Sequence, residues 1–410
     1  MGSSLLLKNT NYGYIGIEGN RINYVGKTKP RHTYASVKDM SGKIVYPGLY
    51  NEHCHAPMTL LRGIGSGRVL QDWLFNVVFP TEDKLTPALV RPGVELAMLE
   101  MIGTGTVSFS DMYFLYEKSM ESMINSGMRV NISRSIQSTD PKETYENNYR
   151  IEEAKKLYRE YHGAAEGRMR VDFAIHAEYT NNDDIVAQFT KDIAAVKGRV
   201  QIHLSETKSE NEACQERHGM SPTEWFDSHH VFDNPTIAAH CVALSDKDIA
   251  ILKAHDVKAV HCPTSNMKLG SGFAEVPKML QAGIDVCLGT DGAASNNNLN
   301  LIEEMHIASI IHNGYTGNPV ALKPADIIRM ATATEIKAGE PADLFAISLD
   351  APHLRPNLDS DALLCYSAQG SDVCLTICDG NVLYEDGEYK TLDKERIYAD
   401  VKKVTKKLYG

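Results

Sequence analysis

Apolar runs of strand length recur along the chain, and mixed stretches long enough for a helix separate them. A continuous apolar run bounded by turn residues is typical of a buried strand. The first run spans 44–50 and is expected to continue as one strand to His53 and His55. Seven more strands are predicted at 105–112, 129–136, 171–178, 199–206, 236–242, 258–265 and 285–292. Eight strands alternating with helices predict an α/β fold, a closed (β/α)8 TIM barrel over residues 47–336.

The two ends of the chain show a different pattern, in which short strands are broken by turns. Residues 1–46 contain "IGIEGNRINYVGK", and residues 337–410 contain "VCLTICDGNVLYEDGEYKT". Neither end has enough strands to bury a core alone. We therefore expect both ends to form one small composite β-sandwich against the barrel, with an amphipathic closing helix in "DKERIYADVKKVTKKLYG".

Composition and charge narrow the range of partners. The 410 residues are 43% hydrophobic and carry a formal net charge of -11, and no run of Lys or Arg interrupts the mixed surface pattern. This pattern argues against a nucleic-acid or membrane partner and favours a small neutral or cationic substrate. No apolar stretch approaches the roughly 20 residues of a membrane helix, and no secretion signal is evident, so a cytoplasmic location is expected.

The eight cysteines show no C-x-x-C spacing, so free buried thiols are expected rather than disulfides or a cysteine metal site. Cys54 and Cys241 each adjoin a candidate site histidine, which raises the alternative of a nucleophile. Strand alternation turns both thiols away from the face of that histidine, which favours a structural role.

The strand that ends in "NEHCH" offers a pair of metal ligands. Side chains alternate faces along a strand, so His53 and His55 point the same way. Two neighbouring imidazoles on one rigid edge suit a divalent ion, which binds nitrogen ligands at about 2 Å.

More polar side chains lie at the ends of later predicted strands, where the active site of a barrel is built. His203 and Asp291 are expected to join His53 and His55 as ligands of one ion, with a water in the remaining open position. Glu206 is expected to take a proton from that water and return it to a substrate nitrogen, because burial suits a carboxylate to this task. Asp291 is expected to accept a second proton.

His240 follows the apolar run "TIAA". It is expected to hydrogen-bond the attacking water or to stabilise the oxygen anion that forms. The alternative is a core histidine whose nitrogens bind backbone groups. Its position at a strand end favours the catalytic interpretation.

These residues together resemble a known family. The segments "NEHCH", "IHLSET", "AAHCVAL", "HCPTSNMKLGSG" and "GTDGAASNNNLNL" are similar to those of the amidohydrolase superfamily and, within it, of the 5-methylthioadenosine/S-adenosylhomocysteine deaminases. The resemblance covers nearly the whole chain. It implies a barrel with a β-sandwich, one divalent ion per subunit, zinc or alternatively Fe²⁺, and a homo-oligomer, either a dimer or a tetramer. It also implies replacement of the amino group at the adenine 6-position by oxygen.

The resemblance also implies contacts to a purine nucleoside substrate. It places Trp73 against the thioether side and Glu82 on the ribose hydroxyls, which suits an apolar indole and a carboxylate acceptor. It places Arg134 and Arg150 near the substrate, although a solvated surface arginine is the alternative for both. It makes His176, in "IHAEYT", a substrate contact and not a metal ligand.

Three rival functions stay open at this point. A guanine deaminase, a triazine hydrolase or a 5-deoxyadenosine deaminase would share the metal-site residues, and a substrate without ribose would have no use for Glu82. A binuclear cyclic-amide hydrolase would need a carboxylated lysine at the end of the fourth strand, where the chain has Ala174, Ile175 and His176. A non-catalytic scaffold would be expected to have lost ligands, and none is lost here.

Overall fold

The computed structural model describes residues 4–138, 140 and 142–410, so residues 1–3 of the predicted amino-terminal segment lie outside the described residues. The chain begins with a small sheet of four strands, β1 (Ser4–Thr10), β2 (Gly13–Glu18), β3 (Arg21–Gly26) and β4 (Ser36–Asp39). Their order is β3-β2-β1-β4. Leu5, Leu7, Ile15 and Ile17 are buried on one face of this sheet, which therefore needs a covering layer.

The apolar run at 44–50 is two strands and not one, which corrects the sequence prediction. β5 (Lys43–Pro47) belongs to a second small sheet, and the next strand belongs to the barrel. Gly48 separates them, and a Cβ atom there would lie 2.5 Å from a Val107 methyl group. A glycine therefore allows the chain to pass from one sheet to the other at close range. Periodicity alone could not detect this break, because both strands are apolar.

The barrel is closed and parallel, as predicted. Its strands are β6 (Leu49–His55), β7 (Thr106–Tyr113), β8 (Arg129–Ile136), β9 (Met169–Ile175), β10 (Val200–Leu204), β11 (Thr236–His240), β12 (Lys258–His261), β13 (Val286–Leu288) and β14 (Asp291–Gly292). The order runs from β13 back to β6 and then to β14. Since β13 and β14 are separated only by Gly289 and Thr290, they act as one broken eighth strand that closes the cylinder.

Several barrel strands end earlier than the sequence predicts. The predicted strand 129–136 matches β8, but the predictions at 171–178, 199–206, 236–242 and 258–265 extend too far at the carboxyl end. Ser205 has φ +48° and Cys241 has φ +50°, and backbone with positive φ cannot continue an extended strand. Pro263 starts a helix after β12. The residues wrongly predicted as strand lie where the loops of the site begin.

The carboxyl-terminal strands complete the composite sandwich. They are β15 (Leu344–Ser348), β16 (Val373–Cys378), β17 (Asn381–Glu385) and β18 (Glu388–Tyr389). With β5 they form an antiparallel sheet of order β18-β17-β16-β15-β5. Leu344 and Ile377 from this sheet share a buried cluster with Leu7 and Ile15 from the first sheet. Strands from both chain ends thus bury one small core, while the division of the chain after residues 46 and 336 stays a prediction.

Helices surround the barrel and cover its outer face. They are α1 (Leu70–Trp73), α2 (Phe79–Glu82), α3 (Pro87–Gly103), α4 (Met120–Asn125), α5 (Tyr149–Tyr161), α6 (Asp183–Ala195), α7 (Lys208–His218), α8 (Pro222–Ser228), α9 (Asp246–Ala254), α10 (Pro263–Lys268), α11 (Val276–Gln281), α12 (Leu301–Thr316), α13 (Pro324–Ala331), α14 (Ser360–Tyr366) and α15 (Lys394–Tyr409). A π-helical turn, Leu74–Val78, joins α1 to α2. The closing helix α15 buries Ile397 and Val404 and packs on the barrel helix α3.

Two further expectations can be compared with the structure. All eight cysteines are buried and free, as predicted. Across the described ranges, no helix combines the length and the apolar character that crossing a bilayer requires.

Candidate active site

Three imidazoles converge where β6 and β10 end. The ring centroids of His53 and His55 lie 4.9 Å apart, and those of His53 and His203 lie 5.0 Å apart. The Nε2 atoms of His55 and His203 are 3.4 Å from each other. All three histidines face the same end of the barrel, which is the carboxyl end of its parallel strands.

Backbone carbonyls fix the outer nitrogen of two of these rings. The Nδ1 of His55 donates to the Met112 carbonyl, and the Nδ1 of His203 donates to the His176 carbonyl at 2.8 Å. A carbonyl can only accept, so each ring carries its proton on Nδ1 and, when neutral, has a lone pair on Nε2. This outer hydrogen bond is the usual way of orienting a metal-binding histidine.

Asp291 brings the negative charge to the cluster. Its Oδ1 lies 3.2 Å from His55 Nε2 and 3.7 Å from His53 Nε2. Its Oδ2 accepts from the hydroxyls of Ser265 at 2.6 Å and Ser295 at 2.7 Å. Burial on its own would raise the pKa of Asp291, but the hydrogen bond and charge of His55 hold that pKa well below its usual range.

The donor set fits a divalent cation. Two lone pairs facing each other 3.4 Å apart, on His55 and His203, repel unless a cation or a proton lies between them. The Nε2 of His53 is buried without a hydrogen-bond partner. Burial lowers the pKa of His53 well below its usual range, so its ring is neutral and available as a ligand. In contrast, the contact with Asp291 outweighs burial and raises the pKa of His55 to about 9, which shows how strongly this point favours positive charge.

The potential ligand atoms form two overlapping groups. Within each group the atoms lie within 4.8 Å of one another, and the groups are His53 with His55 and Asp291, and His53 with His203 and His240. The structure therefore brings the four predicted ligands together. It also brings His240 close enough to belong to the same cluster.

Glu206 enters the cluster through a turn and not through the strand. β10 ends at Leu204, and Ser205 adopts φ +48°, which redirects the chain. The Glu206 backbone N–H then donates to Glu210 Oε2 at 2.7 Å, at the start of α7. The carboxylate lies with one oxygen 3.8 Å from His240 Nε2. Burial raises the pKa of Glu206, as the predicted proton shuttle requires.

His240 is held by a side chain and not by backbone. Its Nδ1 donates to Asn266 Oδ1 at 3.0 Å, from α10. The residue has φ +74°, a left-handed conformation that histidine adopts rarely and that is found preferentially at functional sites. Its Nε2 faces Glu206, so the alternative of a backbone-satisfied core histidine does not match the structure.

A cavity opens above this cluster, and the space between its walls, including the part open to solvent, is about 690 Å³. Trp73 from α1, Glu82 from α2, Arg134 from β8 and His176 after β9 line it. Apolar side chains complete the wall, namely Met58, Leu70, Leu74, Val78, Phe79, Met112, Phe114 and Leu269.

Comparison with known proteins identifies the family of this chain. The model of the Amidohydrolase family matches residues 44–383. The chain is 40% identical to a 5-methylthioadenosine/S-adenosylhomocysteine deaminase of Acetivibrio thermocellus, over 90% of this chain and 88% of that protein. The chain belongs to the amidohydrolase family. The predicted family and the predicted hydrolase class are thereby confirmed.

Two further relatives of this amidohydrolase differ in substrate name. A 5'-deoxyadenosine deaminase of Methanosarcina mazei is 39% identical over 97% of this chain and 93% of its own length. The crystal structure of an adenosine deaminase from Xanthomonas campestris with bound zinc superimposes with a TM-score of 0.92 at 25% identity, covering 99% of this chain and 98% of that one. The match to a solved structure confirms the predicted fold.

Two predicted substrate contacts have atoms available in the pocket of this amidohydrolase. Glu82 is buried, and its Oε1 has no hydrogen-bond partner among the described residues. Burial raises the pKa of Glu82 to about 7. His176 is kept neutral, because burial and the neighbouring His55 lower its pKa to about 3. A ligand that donates hydrogen bonds would satisfy the Glu82 carboxylate.

Arg150 is not brought to the pocket, contrary to the expectation from the family. Its guanidinium donates to Glu143 Oε1 at 2.9 Å and lies 4.7 Å from the centre of the Tyr149 ring. The residue belongs to the first turn of α5, and it is absent from the residues that line the cavity. Sequence position alone does not give the partner of a long side chain.

The sequence analysis missed the residues that hold the cluster in place. Asn266, Ser265 and Ser295 position His240 and Asp291, and all three are buried. They lie inside "HCPTSNMKLGSG" and "GTDGAASNN", so the motifs contained the signal. Assigning their partners required the distances between strands.

Proposed function

We propose that this protein is a metal-dependent hydrolytic deaminase of adenosine derivatives, with 5-methylthioadenosine and S-adenosylhomocysteine as the leading substrates. The products would be the corresponding inosine derivative and ammonia. The observation that carries the proposal is one pocket that joins a cation site to Glu206 and His240 at one side and to Glu82 and Trp73 at another. The deaminase names of the relatives support it.

One divalent ion per subunit would be held by His53, His55, His203 and Asp291. We propose zinc, with Fe²⁺ as the alternative, because imidazole nitrogen with a single carboxylate oxygen suits either ion and suits zinc well. When bound, such an ion supplies a water that loses a proton near neutral pH. The three neutral imidazoles leave the ion with most of its positive charge.

Glu206 would move the proton. Its raised pKa lets it accept a proton from the attacking water and deliver that proton to a ring nitrogen of the purine, next to the 6-carbon. His240 would hold the attacking oxygen through Nε2, since Asn266 occupies its Nδ1. Asp291 would accept the second proton, from the oxygen that has added to the 6-carbon, and pass it to the amino group, which then leaves as ammonia.

The remaining pocket residues would bind the nucleoside. Glu82 would accept hydrogen bonds from the two ribose hydroxyls, and Trp73 would cover the apolar 5' substituent. His176 would contact the purine, and Arg134 would lie near the 5' substituent. Arg150 is left out of this proposal, because its side chain is engaged with Glu143 outside the pocket.

A neighbouring substrate is the second candidate. The same machinery would deaminate 5-deoxyadenosine, which the name of the relative from Methanosarcina mazei favours, or adenosine. Guanine and triazines lack ribose hydroxyls and would offer no such donors to the buried Oε1 of Glu82. A binuclear cyclic-amide hydrolase is disfavoured, because β9 ends at Ile175 and supplies no bridging lysine.

We also propose a cytoplasmic location and a homo-oligomer, either a dimer or a tetramer. The eight buried cysteines, which are free of disulfides in the structure, support the first proposal. The family resemblance supports the second.

Ammonia release tests the proposal. Purified protein loaded with zinc would be incubated with 5-methylthioadenosine, S-adenosylhomocysteine, 5-deoxyadenosine, adenosine and guanine. We expect ammonia from the nucleosides and little from guanine. Release of no ammonia from any nucleoside, by protein that holds stoichiometric metal, would refute the proposed activity.

A further inference from the structure

Arg134 is the one guanidinium that reaches the substrate pocket. It lies near the end of β8, only 7% exposed, and lines the cavity together with Phe114. Its Cζ atom is 5.7 Å from the centre of the Phe114 ring. Among the described residues that line the cavity, it is the only arginine or lysine. In this part of the pocket, an anionic group on a substrate would depend on Arg134 for compensating charge.

The carboxylate of Glu153 already compensates the charge of Arg134, on the side away from the cavity. The Nε of Arg134 donates to Glu153 Oε2 at 2.7 Å, and one terminal nitrogen donates to the Ser135 carbonyl at 2.6 Å. Glu153 belongs to α5 and is absent from the cavity lining, with a side chain that is 41% exposed. The carboxylate therefore lies on the outer side of the guanidinium and does not reach the ligand space.

A paired arginine attracts a second carboxylate less strongly than a free one. At the effective dielectric of a partly buried site, a neighbouring negative charge still acts over several ångströms. A substrate carboxylate bound to Arg134 would feel repulsion from Glu153, whereas an uncharged methylthio or deoxy substituent would not. The apolar wall of Leu70, Leu74 and Phe79 suits such an uncharged group.

We infer that Glu153 is a specificity-determining residue. By pairing with Arg134, it weakens the attraction of that guanidinium for a substrate carboxylate. It therefore favours adenosine derivatives with an uncharged 5' substituent over those that end in a carboxylate. The inference rests on the proposed deaminase function. It assigns a role in substrate choice to a residue outside the pocket. Glu153 acts through Arg134 and has no part in the chemical step.

The test compares substrates in the Glu153→Gln variant. The kcat/KM would be measured for 5-methylthioadenosine, for S-adenosylhomocysteine and for an adenosine whose 5' sulfur carries a carboxymethyl group. We expect the variant to raise kcat/KM about tenfold for both carboxylate substrates, the effect of removing one nearby charge, and to leave the methylthio substrate within about twofold. The gain should decline at high salt, where charge interactions are screened.

Glu152→Gln is the matched control, since Glu152 is the neighbouring residue on α5 and its side chain is 71% exposed beside Lys155. It should leave all three values unchanged. Unchanged ratios in Glu153→Gln would overturn the inference while leaving deamination intact. A loss confined to S-adenosylhomocysteine would also overturn it, because that result would mean that Glu153 binds the substrate ammonium. Absence of deamination in the unmodified protein would instead defeat the proposed function.

Discussion

Three histidines of the site share one arrangement, in which a neighbouring group binds one ring nitrogen and leaves the other nitrogen free for a ligand. The outer nitrogens of His55, His203 and His240 are each taken by a carbonyl or amide oxygen. The inner nitrogens face the cavity. Such groups keep their direction before any ligand binds, and this preorganisation reduces the free energy spent on ordering them later.

Glu206→Gln tests the proton-transfer role at this scale. The amide has nearly the same shape but cannot accept and return a proton. We expect kcat for 5-methylthioadenosine to fall by about 10²- to 10⁴-fold, the range of general acid–base catalysis. Metal content, measured by mass spectrometry of the purified protein, should stay at the unmodified level. A variant that kept more than a tenth of the activity would remove Glu206 from the proposed step.

Glu82→Gln tests recognition of the ribose. Hydrogen bonds to a charged acceptor contribute about 1.5–3 kcal/mol, so kcat/KM for 5-methylthioadenosine should fall by roughly 10- to 100-fold. The matched substrate is the 2',3'-dideoxy analogue, whose kcat/KM should change little because it has no hydroxyls to donate. An equal loss for both substrates would show that Glu82 serves the fold and not the ribose.

At the scale of elements, the sequence predicts where the strands lie better than where they end. The strand at 129–136 is predicted to the residue, because the apolar residues Val130 and Ile132 at a spacing of two are followed by a further apolar residue, Ile136, at its end. Predictions for later strands extended into the site, where Ser205, His240 and Asp291 adopt positive φ. These residues are not glycines, so nothing in their composition marks the turn. Site backbone is held by tertiary contacts that a single sequence does not display.

The sequence also does not predict which strands from distant parts of the chain pair with each other. The sequence predicts the composite sandwich, but it does not predict that β5 pairs with β15. It also does not predict the break at Gly48, which places β5 and β6 in different sheets. The direction of a long side chain was a further gap, as Arg150 shows. By contrast, the sequence does predict that His53, His55, His203 and Asp291 lie together, because parallel strands deliver their carboxyl-terminal residues to one face.

Asp343 joins the sandwich to the barrel, and its removal should affect both. It is fully buried just before β15, accepts from Arg129 Nε at 2.7 Å and from the Tyr50 hydroxyl at 2.6 Å, and receives the Asp379 backbone N–H at 2.7 Å. Asp343→Ala would leave Arg129 with a single carboxylate partner. We expect a loss of about 3–5 kcal/mol in the free energy of unfolding, measured by denaturant titration.

The control for this variant is Asp350→Ala, since Asp350 lies in the same carboxyl-terminal region but its side chain is 89% exposed beside Arg355. An exposed pair of this kind contributes at most about 1 kcal/mol. Similar losses in the two variants would mean that the buried network does not couple the two units.

For the whole molecule, one buried carboxyl group links stability to pH. Glu304, in the first turn of α12, accepts from Asn296 Nδ2 at 2.7 Å and from the Thr264 backbone N–H at 3.2 Å. Burial raises its pKa from 4.5 to about 7. The folded state therefore holds the Glu304 proton more tightly than the unfolded state, so the contribution of Glu304 to the free energy of unfolding should fall as the pH rises from about 4.5 to about 7, and then level off.

Glu304→Gln should remove this contribution. A shift of that size corresponds to about 3 kcal/mol between roughly pH 4 and pH 8, to order of magnitude. The measurement is the difference in unfolding free energy between variant and unmodified protein in identical buffers, so that metal loss in acid affects both. The variant should gain relative stability as the pH rises. Glu160→Gln, at an exposed position of α5, should show no such trend.

The pairing of β5 with β15 has a consequence for biosynthesis. Within the described chain, β5 forms a ladder with β15 alone, and their paired residues lie about 300 positions apart. At about 5–20 residues per second, a ribosome needs roughly 15–60 s to make the intervening chain. Throughout that interval the nascent polypeptide carries β5 without its partner strand, and an unpaired strand of this kind is prone to aggregation until β15 has been made.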